Sequence, residues 1–126
     1  MAYKLELPST EITPYILVDE EKGYMHFKGD CYSENVIVFF RNVTNWLTDF
    51  LQTDFKILTF DCELDYFNSS TSKLLYNILM DLDESASTGK CIVVNWLMNE
   101  ENEMVLENAE NYMEEMENLK FNMILK

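Results

Sequence analysis

The sequence predicts an α/β fold, a single mixed β-sheet of about five strands with helices packed mainly on one face. Three observations carry that expectation. The stretch "KILTFDCELDYF" alternates apolar and polar residues, the pattern of a strand with one wet face, which belongs in a sheet covered by helices on one side only. Three other stretches repeat their apolar residues at spacings of three and four, the period of amphipathic helices. The second half then reads strand, helix, strand, helix, strand. Such a βαβαβ series implies parallel neighbours joined by right-handed crossovers.

Each element follows in order. In "YKLEL", Tyr3, Leu5 and Leu7 alternate with polar residues, a short strand pattern. "YILVDEEKGYMHFKGD" holds two apolar runs around "DEEKG", a β-hairpin whose turn conformation Gly23 supplies. Gly29 and Asp30 end its second strand. From Glu34 to Gln52 the period changes. Val36, Phe39, Phe40, Val43, Trp46, Leu47, Phe50 and Leu51 form one broad apolar face, so one helix is expected, with Ser33 as its N-cap and Glu34 near its positive end. In the next strand Leu58, Phe60, Cys62, Leu64 and Tyr66 point one way. Thr59, Asp61, Glu63 and Asp65 point the other. Leu74, Leu75, Ile78, Leu79 and Leu82 mark the second helix, and Gly89 lies past its end. "CIVVNWLM" is apolar on both faces, as an interior strand would be. Residues 101–118 carry Val105, Ala109, Tyr112 and Met116 at near-heptad spacing, a third helix, and "FNMIL" is a final strand.

At 126 residues the chain is one domain, 1–126, long enough to bury a core without metals or disulfides. Cys31, Cys62 and Cys91 are odd in number and far apart with no CxxC spacing, which fits reduced, mostly buried thiols and not a disulfide framework or metal site. The formal charge of −14 repels phosphate backbones and anionic lipid, so neither nucleic acid nor a membrane is an expected partner. It favours solubility and fast encounter with a basic protein patch. "MAYKLELPSTE" lacks a basic region followed by an apolar run, so no secretory signal is expected and the cytoplasm is the expected location.

The motifs of catalysis are missing. His26 is the single histidine and stands in a strand pattern, and no GxSxG elbow occurs. The acidic helix "EENEMVLENAENYMEEMENL" has neither HExxH nor calcium-loop spacing, and its Glu residues lie mainly opposite the apolar stripe, as on a solvated face. No Walker-type or GxGxxG loop is present, and three glycines in all leave little room for a phosphate-cradling loop.

One cluster stands out. In "DYFNSSTSK", Ser69, Ser70, Thr71 and Ser72 follow Asn68 where a strand hands over to a helix. Asn68 is a good N-cap, which puts the hydroxyls in the first turn. Capping needs one or two of them. The surplus leaves a second reading open: a phosphate there would meet unpaired backbone N–H groups at the positive helix end and switch a partner surface by charge. Asp61, Glu63 and Asp65 would oppose it if they shared its surface.

"GDCYSEN", "LDYFNSSTSK" and "VNWLMNEENEMVLENAE" together resemble the bacterial SiaC family of regulatory phosphoproteins, in the same order over nearly the whole chain. The resemblance implies a fold like the STAS domains of anti-sigma-factor antagonists. It implies a partner-switch protein that is not an enzyme; no catalytic residue, cofactor or metal is expected. In that family a cognate Ser/Thr kinase phosphorylates a Ser or Thr just after the motif's Asn, and a PP2C-type phosphatase removes the group. The unphosphorylated form binds and activates a diguanylate cyclase and promotes biofilm growth. Carried onto this chain, the acceptor is Ser69, followed by Ser70 and then Thr71. Asn68 caps the helix, Tyr66 and Phe67 frame the site, and the loop of Tyr32, Glu34 and Asn35 is a candidate partner surface. A rival expectation is a constitutive acidic binder or inhibitor acting through Glu107, Glu110, Glu114 and Glu115.

Overall fold

Six strands form one sheet in chain order, in a computed structural model that describes residues 2–126. The elements are β1 (Lys4–Leu7), β2 (Tyr15–Asp19), β3 (Tyr24–Cys31), α1 (Val36–Phe39), α2 (Arg41–Phe50), β4 (Ile57–Phe67), α3 (Ser69–Ala86), β5 (Cys91–Met98), α4 (Glu103–Glu115) and β6 (Lys120–Leu125). β1, β2 and β3 pair antiparallel, and β3, β4, β5 and β6 pair parallel. The sheet thus has six strands where about five were expected, because the short first stretch pairs along its whole length with β2, Leu5 opposite Val18.

A sheet ordered as the chain, with crossovers of one hand, sends every helix to the same side. The buried residues agree. Ile16 and Val18, Met25 and Phe27, Leu58, Phe60, Cys62 and Leu64, and Ile92, Val94 and Trp96 join the apolar faces of all the helices in one core. Burying each such side chain stabilises the fold by roughly 1.5–3 kcal/mol. The opposite face carries partly buried and exposed side chains, apart from Asp19 at its rim.

Gly23 meets its expected role in the hairpin. It has φ +60°, and a Cβ there would run into the Ile57 carbonyl.

Two departures shape the end of the sheet where β3 and β4 finish. The helix expected from Glu34 to Gln52 is two helices, divided at Phe40 (φ −89°, ψ 3°). Asn35, not Ser33, holds the N-cap position and makes no side-chain cap, while Ser33 Oγ accepts from the Asn35 N–H at 3.2 Å. The five-residue apolar run "VIVFF" is too long for one helix face. Val36 and Phe40 are buried, but Ile37 and Val38 stay 71% and 58% exposed.

The second departure is a β-bulge. β4 pairs Leu64 with Gly29, then Tyr66 with Asp30 and Phe67 with Cys31, so Asp65 is an extra residue. One extra residue reverses the alternation beyond it. Tyr66, expected inward, is 52% exposed, and Phe67 enters the core instead.

Candidate functional site

The parallel strands β3, β4 and β5 all end at the same edge of the sheet, and α1, α3 and α4 begin there. Asparagine stands at the start of each, Asn35, Asn68 and Asn102. Asn102 caps α4 by accepting from the Val105 N–H at 3.3 Å, and its Nδ2 donates to the Asp65 carbonyl at 2.5 Å. The start of α4 is therefore pinned to the bulge of β4.

Asn68 does more. Its Oδ1 accepts from the Thr71 N–H at 2.9 Å and the Thr71 hydroxyl at 2.8 Å. Its Nδ2 donates to the Ser33 carbonyl at 3.3 Å, and its backbone N–H to the Cys31 carbonyl at 3.3 Å. One residue thus ties the start of α3 to the loop after β3.

The hydroxyl cluster divides into two pairs. Thr71 is fully buried. Besides Asn68, its Oγ1 lies 3.2 Å from Cys31 Sγ and 3.4 Å from the Cys31 carbonyl. Burial raises the Cys31 thiol, so it stays neutral. The Ser72 hydroxyl lies 2.7 Å from the Tyr112 hydroxyl and 3.2 Å from Asn108 Oδ1, and Tyr112 donates to the Ser72 carbonyl at 3.0 Å. Burial raises the Tyr112 phenol, against the Ser72 hydrogen bond. Thr71 and Ser72 are therefore structural joints, one to β3 and one to α4. Ser69 and Ser70 are exposed. As the first residues of α3 they also carry backbone N–H groups that lack an intrahelical acceptor.

Two grooves flank this turn. One, of about 520 Å³, lies between α3 and α4 and is lined by Ser69, Lys73, Phe67, Tyr76, Met104 and Tyr112 among others. The other, of about 390 Å³, lies between α1 and α3 beside Glu34, Asn35, Ile37, Ser70 and Lys73. The loop named in the sequence is thus brought against the helix start. Tyr32 is 45% exposed. Its phenol is raised by partial desolvation, by Asp30 and by Tyr66. Sequence reasoning missed Ile37, Val38 and Lys73. The unbroken run "VIVFF" carried a signal for the first two, since no single helical stripe holds it.

The carboxylates feared as competitors lie on the helix-free face, in a ladder of their own. Asp61 accepts from the Tyr24 hydroxyl at 2.6 Å and from Asn95 Nδ2 at 2.9 Å, and Asn122 donates to Asn95 at 3.0 Å. Glu63 lies 3.2 Å from His26 Nε2 and from Lys126 Nζ, which also meets Asp65 at 3.1 Å. Burial pulls the Glu63 carboxyl up, but the hydrogen bonds from Lys126 and His26 outweigh it and hold the group below its usual range. Burial and the bond to Asp61 raise the Tyr24 phenol. His26 is engaged here, with Tyr15 and Tyr24 beside its ring. Among the described residues no cluster of His, Cys, Asp and Glu could hold a metal ion, and no helix is long and apolar enough to cross a membrane.

Comparison with known proteins bears on this geometry. The family model described as SiaC family regulatory phosphoprotein matches residues 7–126. A protein of Pseudomonas aeruginosa (strain UCBPP-PA14), itself uncharacterised, is 34% identical over 111 residues, 88% of each chain. The solved structure of SiaC of Pseudomonas aeruginosa superposes with a TM-score of 0.90 at 30% identity, covering 98% of this chain and 99% of that one. A chain from the crystal structure of the diguanylate cyclase SiaD in complex with its activator SiaC, from Pseudomonas aeruginosa, superposes with a TM-score of 0.90 at 32% identity, over 97% and 99%.

Proposed function

The chain belongs to the SiaC family of regulatory phosphoproteins, and from that premise we propose that it is a non-enzymatic switch acting in the cytoplasm. Its unphosphorylated form binds and activates a diguanylate cyclase; the related SiaC of Pseudomonas aeruginosa is the activator of the cyclase SiaD in their complex. A Ser/Thr kinase transfers a phosphoryl group to Ser69 and so ends that contact, and a PP2C-type phosphatase restores it. In the transfer, Ser69 Oγ bonds to the γ-phosphorus of a nucleoside triphosphate. The bond to the diphosphate breaks, and the hydroxyl proton passes to a base of the kinase.

The observation that carries this reading is the division of the hydroxyl cluster. Ser69 and Ser70 are exposed while Thr71 and Ser72 are engaged. Ser69 stands first because it directly follows the capping Asn68 and opens on the α3–α4 groove. Ser70 is second, facing the groove beside α1. Thr71 falls to last, since a kinase would have to unwind the helix start to reach it. Phosphate on Ser69 could accept the free N–H groups of the first turn and lie at the positive helix end. Glu34, Asn35 and Ile37, which line the groove beside the turn, form the proposed cyclase-binding surface with the exposed Tyr32 and Tyr66. Adding about two negative charges there alters that surface and leaves the core untouched.

Cleavage after Lys56 and Lys73 isolates Ile57 to Lys73 with the whole cluster. Mass spectrometry of that peptide, from cells with phosphatases blocked, is expected to place phosphate on Ser69. An unmodified peptide under all growth conditions would sink the proposal and favour the constitutive acidic binder. That alternative would lose binding on neutralising Glu107, Glu110, Glu114 and Glu115.

A further inference from the structure

Lys73 is the cation nearest in sequence to the proposed acceptor, and it is uncommitted. The chain has 9 Lys and Arg against 23 Asp and Glu, yet exposed Lys73 makes no ion pair among the described residues. The first turn of α3 contains no acidic residue either. In α4, by contrast, Glu103 occupies the first turn.

Its position is specific. Side chains on a helix lean toward the N-terminus and cover the turn before their own Cα. Lys73 is therefore placed to reach Ser69, four residues back, and Ser70, three back, the spacings at which helical side chains meet. The grooves follow the same division. Ser69 and Lys73 line the one between α3 and α4, and Ser70 and Lys73 the one between α1 and α3. That the anion is a phosphoryl group comes independently, from membership of a phosphoprotein family.

We propose that Lys73 is the latch of the phosphorylated state. When Ser69 carries phosphate, the Lys73 ammonium swings over the α3–α4 groove and pairs with it. The pair holds the phosphate as a dianion against the helix start, on the α4 side of the turn. In the unmodified protein Lys73 stays free. This rests on the phosphorylation reading for the site, and adds the residue that responds to it.

The test separates the two. Phosphoserine is installed in place of Ser69 during translation, which needs no kinase, and the phosphate is titrated by ³¹P NMR in three backgrounds: Lys73 intact, Lys73→Met and Lys73→Arg. A cation about 4 Å from the phosphate at the surface favours the dianion. With Lys73 intact the phosphate is therefore expected to titrate roughly 0.5 pH unit lower than in Lys73→Met, and Lys73→Arg should restore the lower value. High salt should shrink the difference. Identical titrations with Lys73 and Met would overturn the latch even if Ser69 is modified in cells. Phosphate found in cells on Ser70 instead of Ser69 would overturn the placement in the α3–α4 groove. An unmodified peptide from cells would overturn the switch reading, whatever the titration shows.

Discussion

Two polar regions of the molecule invite comparison, the ladder on the open face of the sheet and the first turn of α3. Both gather hydroxyls, amides and charges within a few residues of β4. In the ladder the groups answer one another: Tyr24 and Asn95 serve Asp61, while His26 and Lys126 serve Glu63. In the turn, Asn68, Thr71 and Ser72 are answered in the same way, but Ser69 and Ser70 stand exposed with a free lysine one turn on. A saturated cluster stabilises. A cluster with accessible, unengaged groups can still receive a ligand or a modification. Residue type alone does not separate them, since Thr71 and Ser70 are adjacent hydroxyls with opposite surroundings.

The sharpest way to break the comparison is Ser69→Ala. It should abolish phosphate incorporation in labelling by the proposed kinase while thermal unfolding stays within about 0.5 kcal/mol of the parent, as expected of an exposed side chain. Undiminished labelling would move the acceptor. Asn68→Ala comes next, because it removes the cap and both side-chain ties of the turn. A loss of about 2 kcal/mol is expected in urea unfolding, and a loss below about 0.5 kcal/mol would show that the cap is dispensable. Asp61→Ala strips the ladder of its central acceptor and leaves Tyr24 and Asn95 without it. It should cost about 1–2 kcal/mol with Ser69 labelling unchanged, and altered labelling would show that the two regions are coupled.

The smallest effect concerns pH. The Glu63 carboxyl is held below its unfolded value by Lys126 and His26, against the pull of burial. Its contribution to stability is therefore present above the unfolded carboxyl range, near about pH 4.3, and is lost as pH falls through the lower folded value. Glu63→Gln should flatten that part of the acid limb in unfolding experiments between about pH 5 and 2. An unchanged limb would show that the ion pairs of Glu63 carry no stability.

Much of the fold was legible. Strict alternation in "LTFDCEL" placed β4, and the leucine stripe from Leu74 to Leu82 placed α3, because a strand or helix with one buried face must repeat with its own period. Asn68 was legible as a cap for a local reason, as its carbonyl reaches an N–H only three residues ahead. The misses share a different cause. The bulge at Asp65 arises from pairing with Gly29 and Asp30, more than thirty residues away, so nothing near Tyr66 announced that it would turn outward. The break falls at Phe40, whose ring packs in the core against Phe27 with centroids 5.1 Å apart, a contact outside the local sequence. Only the apolar excess of "VIVFF" hinted at it. The extra strand was present as a pattern, but its place in the sheet depended on β2.

What the sequence by itself determined is local: the order of strands and helices, the cap at Asn68, the hydroxyl cluster behind it, and the family to which its motifs belong. These follow from backbone hydrogen bonding and side-chain period, which act over a few residues. The tertiary structure decided which hydroxyls remain accessible. Thr71 is closed off by Cys31 and Ser72 by Tyr112, each contact spanning 40 residues of chain. Ser69 and Ser70 are left outside because packing buries one side of a helix turn and exposes the other, and only the folded neighbours fix which side that is.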